Sequence, residues 1–220
     1  MNWAYRAGHL AARFTLFCTM RISVIRPDAP RREGPFILAC SHLSHLEPFL
    51  VSALMSRPVD WVTRVEFFKY RVFAAILRSL NAFEVRRFGV PVSAIRTAIA
   101  RLERGRVVGI CPEGGVVKGA ASCLRGGPLK RGVCLIAYRT GTPVLPCVVL
   151  GSDKLSSVGP WLPAKRGRLW VAFGDRVVLP PTHLPRKAAR EQMARELGGE
   201  YVRLFDEIKR TFSISEAWVP

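Results

Sequence analysis

The chain has 220 residues, enough for one sizeable domain and short for two. Hydrophobic residues make up 49% of it, and 34 lysines and arginines against 16 acidic residues give a net charge of +18. That balance favours an anionic partner: nucleic acid, an acidic membrane surface, an acidic carrier protein or a phosphorylated substrate. The sequence carries no zinc-finger spacing, RNA-binding aromatic signature or basic zipper, so a nucleic-acid partner is not expected.

Residues 1–30 are predicted to form an amphipathic N-terminal segment ahead of an α/β domain over 31–220. A helix is expected over 2–25, because apolar residues recur at helical spacing among arginines. No window is apolar enough for a transmembrane helix, and no cleavage site indicates a removed signal peptide. Such a helix either lies in a membrane interface or packs on the domain's own core. A second aromatic and basic stretch, 61–80, favours attachment to a membrane surface. In the predicted helix over 2–25, the apolar residues at helical spacing are Trp3, Ala7, Leu10, Phe14 and Phe17.

From residue 34 onward, segments typical of strands alternate with segments typical of helices. This alternation predicts an α/β domain, a layered mixed sheet flanked by helices. The last helix is expected to be interrupted at Gly198-Gly199. Strands are predicted over 36–40, 60–64, 83–87, 107–111, 144–150 and 169–173, and helices over 48–55, 92–104, 132–139 and 186–212 and in the aromatic-basic stretch.

The segment 41–48 contains the first candidate for chemistry. It places His42 at a strand end and Glu47 five residues later, too far for neighbours on one helical face. The spacing suits a histidine on a turn whose carboxylate partner opens the next helix and folds back toward the ring. A carboxylate there fixes the imidazole tautomer and stabilises the imidazolium, so His42 is a candidate general base. A structural histidine is the alternative.

Two further segments contain candidate binding residues. Glu113 lies in a Pro-Glu-Gly-Gly loop after a buried strand, where open α/β sheets place their ligands. Arg86 and Arg87 end a strand-like run, and guanidinium groups suit bidentate phosphate contacts. A solvated turn glutamate and ordinary surface arginines are the alternatives.

In their order, these segments resemble the glycerolphosphate (lysophospholipid) acyltransferases, in particular the 1-acylglycerol-3-phosphate acyltransferase branch. The family's first motif is His, four residues, Asp, and its second ends in an arginine. Its third is Phe-Pro-Glu-Gly-Thr, and its fourth is centred on a proline in a hydrophobic strand. The likeness runs from about 34 to 151. The matches are His42 with Glu47, Arg86-Arg87, Cys111-Pro112-Glu113-Gly114-Gly115 and Val144-Leu145-Pro146.

The resemblance implies an O-acyltransferase of phospholipid biosynthesis. It would move a fatty acyl group from acyl-CoA or acyl-carrier protein to a hydroxyl of a lysophospholipid such as 1-acylglycerol-3-phosphate. His42 would take the hydroxyl proton while Glu47 holds the ring, and backbone N–H groups would stabilise the oxyanion. The implied substrate-binding residues are Arg86, Arg87 and Lys130 for a phosphate, and Glu113 with Gly114 for a glycerol-type hydroxyl.

The partners that follow are the acyl thioester, the lysophospholipid, an anionic membrane surface and an acidic acyl-carrier protein. We expect the protein at the cytoplasmic face of a membrane, with no cofactor beyond its co-substrate and no metal. His42, His45 and Glu47 could imitate metal ligands, but no second ligand cluster accompanies them.

The sequence departs from the family pattern at two places. Glu47 replaces the aspartate and adds a methylene, which alters the reach of the carboxylate. Gly115-Val116-Val117 replaces the usual Thr-Arg-Ser, with Lys118 as a substitute for the missing polar groups. A different lipid or sugar acceptor on the same fold, and a catalytically weak lipid-binding relative, are therefore the alternatives.

The six cysteines form no Cys-x-x-Cys pair, and most lie in apolar runs. This pattern indicates buried thiols in a reducing compartment. Cys40, two residues before His42, could form a nucleophile pair with it, but a core thiol is the favoured interpretation.

Overall fold

The structure is a computed structural model that describes residues 3–31, 33–85, 92–155, 167–178 and 185–215. The strands are β1 Met20–Ile25, β2 Phe36–Cys40, β3 Val59–Arg64, β4 Phe83–Val85, β5 Val107–Ile110, β6 Val144–Leu150 and β7 Gly167–Phe173. The α-helices are α1 Trp3–Thr19, α2 Glu47–Leu54, α3 Arg71–Ser79, α4 Val92–Glu103, α5 Gly132–Thr140 and α6 Arg186–Phe212.

The strands form one mixed sheet in the order β1-β7-β6-β2-β5-β3-β4. The strands from β6 to β4 run parallel, β7 is antiparallel to β6, and β1 is parallel to β7. Every residue of β2 and β6 is buried, as expected for central strands covered on both faces. The predicted layered mixed sheet with flanking helices is confirmed.

Helices cover both faces of this sheet. On one face α4, α5 and α6 pack over the largest hydrophobic cluster, and Tyr201 of α6 donates a hydrogen bond to the carbonyl of Ala39 at 2.8 Å. On the other face α2 packs against β2, β5 and β6, and α1 packs against α2 through Leu16 and Ala53. Within the described residues, no helix has the length and apolar character needed to cross a membrane.

The predicted helix over 2–25 is wrong beyond Thr19. Residues Met20–Ile25 form β1, which pairs in parallel register with β7, so the predicted N-terminal segment 1–30 contributes a strand to the sheet. The segment is rich in β-branched residues, which favour strands. The predicted helix was too long because the apolar residues before Met20 follow helical spacing. The pairing of Met20–Ile25 with β7 depends on a distant segment, which the local sequence does not indicate.

The predicted interruption of the last helix is also wrong. α6 continues through Gly198 and Gly199 to Phe212. Leu197 and Tyr201, on either side of the glycine pair, are fully buried. Their packing against the sheet outweighs a helix-propensity cost of about 1 kcal/mol per glycine.

Candidate active site

Four chain segments with polar side chains meet at one edge of the sheet. They follow or end β2, β3, β5 and β6, which run parallel and therefore present their carboxyl ends at the same edge. His42 comes after β2, Arg64 ends β3, Glu113 comes after β5, and Ser152 comes after β6. This edge is where open α/β sheets bind ligands.

His42 and Glu47 form a hydrogen-bonded pair. Nδ1 of His42 lies 2.8 Å from Oε2 of Glu47, which is the first residue of α2 and is fully buried. An ionised carboxylate only accepts hydrogen bonds, so we assign the proton of the neutral imidazole to Nδ1. The lone pair of Nε2 is then left for a substrate proton. The side chain of His42 is 12% exposed, so the ring keeps a route to solvent or substrate.

The second oxygen of Glu47 accepts three hydrogen bonds. The donors to Oε1 are the amides of Leu43 at 3.0 Å and Ser44 at 2.8 Å and the hydroxyl of Ser152 at 2.5 Å. Burial raises the pKa of Glu47, while the hydrogen bonds from His42 and Ser152 lower it. The longer glutamate side chain thus folds back over its own turn and still reaches the ring.

Glu113 binds the backbone of the same turn from another side. Its Oε2 accepts the amide of His42 at 2.8 Å, and its Oε1 accepts the hydroxyl of Ser122 and the amide of Cys123, both at 2.9 Å. Oε2 accepts one hydrogen bond where Oε1 accepts two, so Oε2 retains capacity for a substrate hydroxyl. The predicted contact of Glu113 with a glycerol-type hydroxyl stays a prediction.

Three backbone amides of the turn after β2 are already occupied. The amide of His42 is bound by Glu113, and those of Leu43 and Ser44 are bound by Glu47. These three amides are therefore not free to act as the N–H donors predicted for the oxyanion.

Two cations lie along the loop that contains Glu113. Arg64 donates from Nη2 to the carbonyl of Gly114 at 3.3 Å. The aliphatic part of the Lys130 side chain lies against Gly114. A Cβ atom on Gly114 would lie 3.3 Å from both Cγ and Cε of Lys130. Gly114 also has a positive φ of 74°, a conformation that favours glycine. The other two predicted phosphate ligands, Arg86 and Arg87, lie outside the described residues.

His45 forms part of the wall beside His42. Its ring centroid lies 5.6 Å from that of His42 and 5.8 Å from that of Phe67. Burial, followed by the nearby charges of His42 and Arg64, lowers the pKa of His45. His45 therefore favours its neutral form. No group of three or more His, Cys, Asp or Glu among the described residues could hold a metal ion.

The thiols near the site are held in their neutral form. A hydrogen bond with Cys147, then burial, raises the pKa of Cys40 well above its ordinary value, and burial does the same for Cys111. Because the thiolate is the nucleophilic form, a Cys40–His42 nucleophile pair is disfavoured. The geometry instead suits the core-thiol interpretation of Cys40, which is fully buried.

Sequence reasoning missed Arg64, Ser122 and Ser152. Arg64 and Ser152 stand at the carboxyl ends of predicted strands, which is a detectable signal. Ser122 lies in an irregular stretch between β5 and α5, and nothing in its local sequence indicates its contact with Glu113.

Comparison with known proteins gives consistent results. The model of the family described as Acyltransferase matches residues 21–150. The chain is 27% identical to a 1-acyl-sn-glycerol-3-phosphate acyltransferase of Bacillus subtilis (strain 168), over 78% of this chain and 81% of that protein. It is 24% identical to the chloroplastic 1-acyl-sn-glycerol-3-phosphate acyltransferase BAT2 of Brassica napus, over 60% of this chain and 38% of that protein.

Among solved structures, the fold is similar to the crystal structure of the 1-acyl-sn-glycerophosphate (LPA) acyltransferase PlsC from Thermotoga maritima. The TM-score is 0.62 at 22% sequence identity, and the match covers 89% of this chain and 77% of that one. At this identity the likeness shows the fold alone.

Proposed function

Because the chain belongs to the Acyltransferase family, we propose that it transfers a fatty acyl group from an acyl thioester to a hydroxyl of a lysophospholipid. The observation that carries this proposal is the buried contact of 2.8 Å between His42 Nδ1 and Glu47 Oε2 at the carboxyl edge of the sheet. The names of the relatives from Bacillus subtilis and Brassica napus support 1-acylglycerol-3-phosphate as the first acceptor to test.

In the proposed reaction, Nε2 of His42 takes the proton of the acceptor hydroxyl as its oxygen attacks the thioester carbonyl. The Glu47 carboxylate stabilises the imidazolium that forms. The tetrahedral intermediate then collapses, the carbon–sulfur bond breaks, and His42 returns its proton to the departing thiolate. The products are the acylated lipid and the free thiol, and no acyl-enzyme is required.

Cations around the Glu113 loop support recognition of a phosphate. Arg64 and Lys130 both lie at Gly114, and Arg86 and Arg87 remain predicted ligands from the family resemblance. Arginine offers bidentate contacts and lysine a point charge, and both suit a phosphomonoester. The donor is proposed to be acyl-CoA or acyl-carrier protein, both anionic and thus attracted by the net charge of +18.

One observation favours a second acceptor class. Val116, at a position where the family has a polar residue, is 38% exposed at this loop. An apolar side chain there offers no hydrogen bond to a charged headgroup, which favours a lipid or sugar acceptor without a phosphomonoester. The acceptor panel below distinguishes the two classes.

We place the protein on a membrane surface through α1 and α3. Leu10, Phe14 and Phe17 of α1 are 65%, 73% and 56% exposed, and Val72 of α3 is 77% exposed. These two surfaces are neighbours, because Gly8 of α1 packs against Leu80 at the end of α3. Exposed apolar side chains beside arginines are typical of helices that lie in an anionic membrane interface. The cytoplasmic face stays a prediction from the cysteine pattern.

The first experiment is an acceptor and donor panel with purified protein in detergent. Acyl-CoA and acyl-carrier protein would be offered with lysophosphatidate, other lysolipids and sugar-linked hydroxyls, and products followed by mass spectrometry. We expect transfer to lysophosphatidate that is lost in His42→Ala and retained in His183→Ala, a histidine with no assigned role. Transfer restricted to acceptors without a phosphomonoester would favour the second class. Full activity of His42→Ala would overturn the mechanism.

Membrane attachment is tested by vesicle sedimentation. Wild-type protein should bind phosphatidylglycerol vesicles more strongly than phosphatidylcholine vesicles, and added salt should weaken the binding. The double variant Phe14→Ser/Phe17→Ser should lose most of the binding. Val178→Ser is the matched control, because this exposed apolar residue lies outside α1 and α3. If the double variant bound the vesicles as strongly as wild type, α1 would not be the part of the protein that contacts the membrane. Binding by wild type without turnover of any thioester would indicate a lipid-binding relative.

A further inference from the structure

Ser152 is held in the active site by the turn that follows β6. Gly151 has a φ of +86°, and a Cβ there would approach the carbonyl oxygen of Arg168 to 2.3 Å. Only glycine fits such a turn. The turn ends β6 at Leu150 and directs the next residue back toward β2, so that Ser152 is fully buried.

The hydroxyl of Ser152 contacts the carboxylate that orients the catalytic ring. Its Oγ lies 2.5 Å from Oε1 of Glu47, across a separation of 105 residues in the chain. The carboxylate can only accept, so the serine donates. The other donors to Oε1, the amides of Leu43 and Ser44, belong to the same turn as the histidine. Ser152 is therefore the donor that ties this carboxylate to a different strand of the sheet.

A buried carboxylate needs such donors to remain ionised. Glu47 is 0% exposed, and desolvation disfavours its charged form. The raised pKa values of the nearby thiols of Cys40 and Cys111 keep them neutral, so they add no second negative charge beside the carboxylate. Asp153, next to Ser152, has its own partners in Lys118 and Lys154 at 3.7 Å and 3.8 Å. Among the described residues, the titratable and charged groups at Glu47 and this turn include His42, Cys40, Cys111, Cys147, Glu113, Asp153, Lys118 and Lys154.

We propose that Ser152 is a positioning residue, which holds Glu47 ionised and directed at the ring of His42 through its hydrogen bond to Oε1. The inference rests on the proposed acyl transfer and adds to it a residue outside the four family motifs. Donation to Oε1 leaves Oε2 free for the histidine, so the serine acts on the ring through the carboxylate and does not touch the substrate.

The direction of the expected pH effect depends on whether Ser152 stabilises the ionised or the protonated form of Glu47. Its hydrogen bond favours the ionised carboxylate, so its removal makes protonation of the His42–Glu47 pair easier. In Ser152→Ala the acidic limb of the kcat/KM profile should move to higher pH by about one unit, the size of a hydrogen bond to a charged group. At neutral pH kcat should fall about tenfold.

Two companion variants separate positioning from folding. Ser152→Thr keeps a hydroxyl donor and should restore most of the wild-type pH profile. Ser41→Ala is the matched control, because Ser41 is also fully buried, precedes the catalytic histidine and bonds to the amide of Val149 at 3.1 Å. It should lower the melting temperature as Ser152→Ala does and leave the acidic limb in place. A Ser152→Ala profile that coincides with the wild-type profile would overturn the inference.

A readout without turnover keeps the inference testable if the proposed function fails. The chain has four histidines, so the ring signals of His42 can be followed by NMR through a pH titration and assigned with His42→Ala. We expect the midpoint of the His42 ring signals to move to higher pH in Ser152→Ala and to stay in place in Ser41→Ala. An unchanged midpoint in Ser152→Ala refutes the role of Ser152. Absence of acyl transfer by the wild-type protein refutes only the proposed function.

Discussion

Replacement of Glu47 by glutamine tests the central contact of the site. The amide has the length of the carboxylate but no charge and only one acceptor oxygen. Three donors at 3.0 Å, 2.8 Å and 2.5 Å face Oε1, so the amide oxygen must take that side. The NH2 group then faces Nδ1 of His42, where Oε2 lay at 2.8 Å. The imidazole must accept at Nδ1 and carry its proton on Nε2, the atom that is proposed to act as the base.

The loss can be sized from the geometry. A pair of unit charges about 4 Å apart interacts by about 4 kcal/mol at an effective dielectric constant of about 20. Glu47 is in direct contact with the ring, so the imidazolium in Glu47→Gln loses stabilisation of that order. About 4 kcal/mol on the barrier corresponds to about a 10³-fold fall in kcat, within the usual contribution of general acid–base catalysis.

The measurement is the initial rate of acyl transfer at saturating donor, together with thermal unfolding. The melting temperature of Glu47→Gln should stay close to that of wild type, because the amide preserves the packing and burial disfavours the charge of Glu47. Glu84→Gln is the control, since this carboxylate is 46% exposed and pairs with Arg78 at the surface. A kcat for Glu47→Gln within about fivefold of wild type, in folded protein, would refute the proposed role of the charge.

Three further predictions follow from the structure. Gly109→Ala should lower the free energy of unfolding by about 1–3 kcal/mol in urea titrations, because the new Cβ would approach the Trp61 ring to 2.5 Å; unchanged stability would contradict this packing. A hydrogen bond from Arg26 lowers the pKa of Glu207, so this pair stabilises the fold above the carboxyl pKa of the unfolded chain and ceases to do so as pH falls through the folded-state pKa. Between neutral and acid pH, the melting temperature of Glu207→Gln should therefore fall less steeply than that of wild type. Parallel curves of melting temperature against pH for the two proteins would exclude the linkage. Glu113→Ala should cut kcat about a hundredfold, because His42, the proposed base, loses the acceptor of its amide; a change in KM alone would instead favour a purely substrate-binding role.

The local sequence determined most of the elements and the contact between His42 and Glu47. The apolar run of β2 predicted a buried strand, and the spacing of His42 and Glu47 predicted a carboxylate that opens a helix and folds back to the ring. Both features depend on near neighbours in the chain, and the structure shows the strand and the contact. The family assignment from motif order is likewise confirmed by the match over 21–150.

Tertiary structure decided the partners that come from distant segments. The strand order β6-β2-β5-β3 differs from chain order, and it brings Ser152 to Glu47 and Arg64 to Gly114. Sheet pairing also made a strand of Met20–Ile25, and core packing carried α6 through two glycines. Spacing and propensity describe how a segment folds with its neighbours. Which strand ends become adjacent depends on burial of the whole sheet. This is why the contacts of Ser152 with Glu47 and of Arg64 with Gly114 emerged only from the fold.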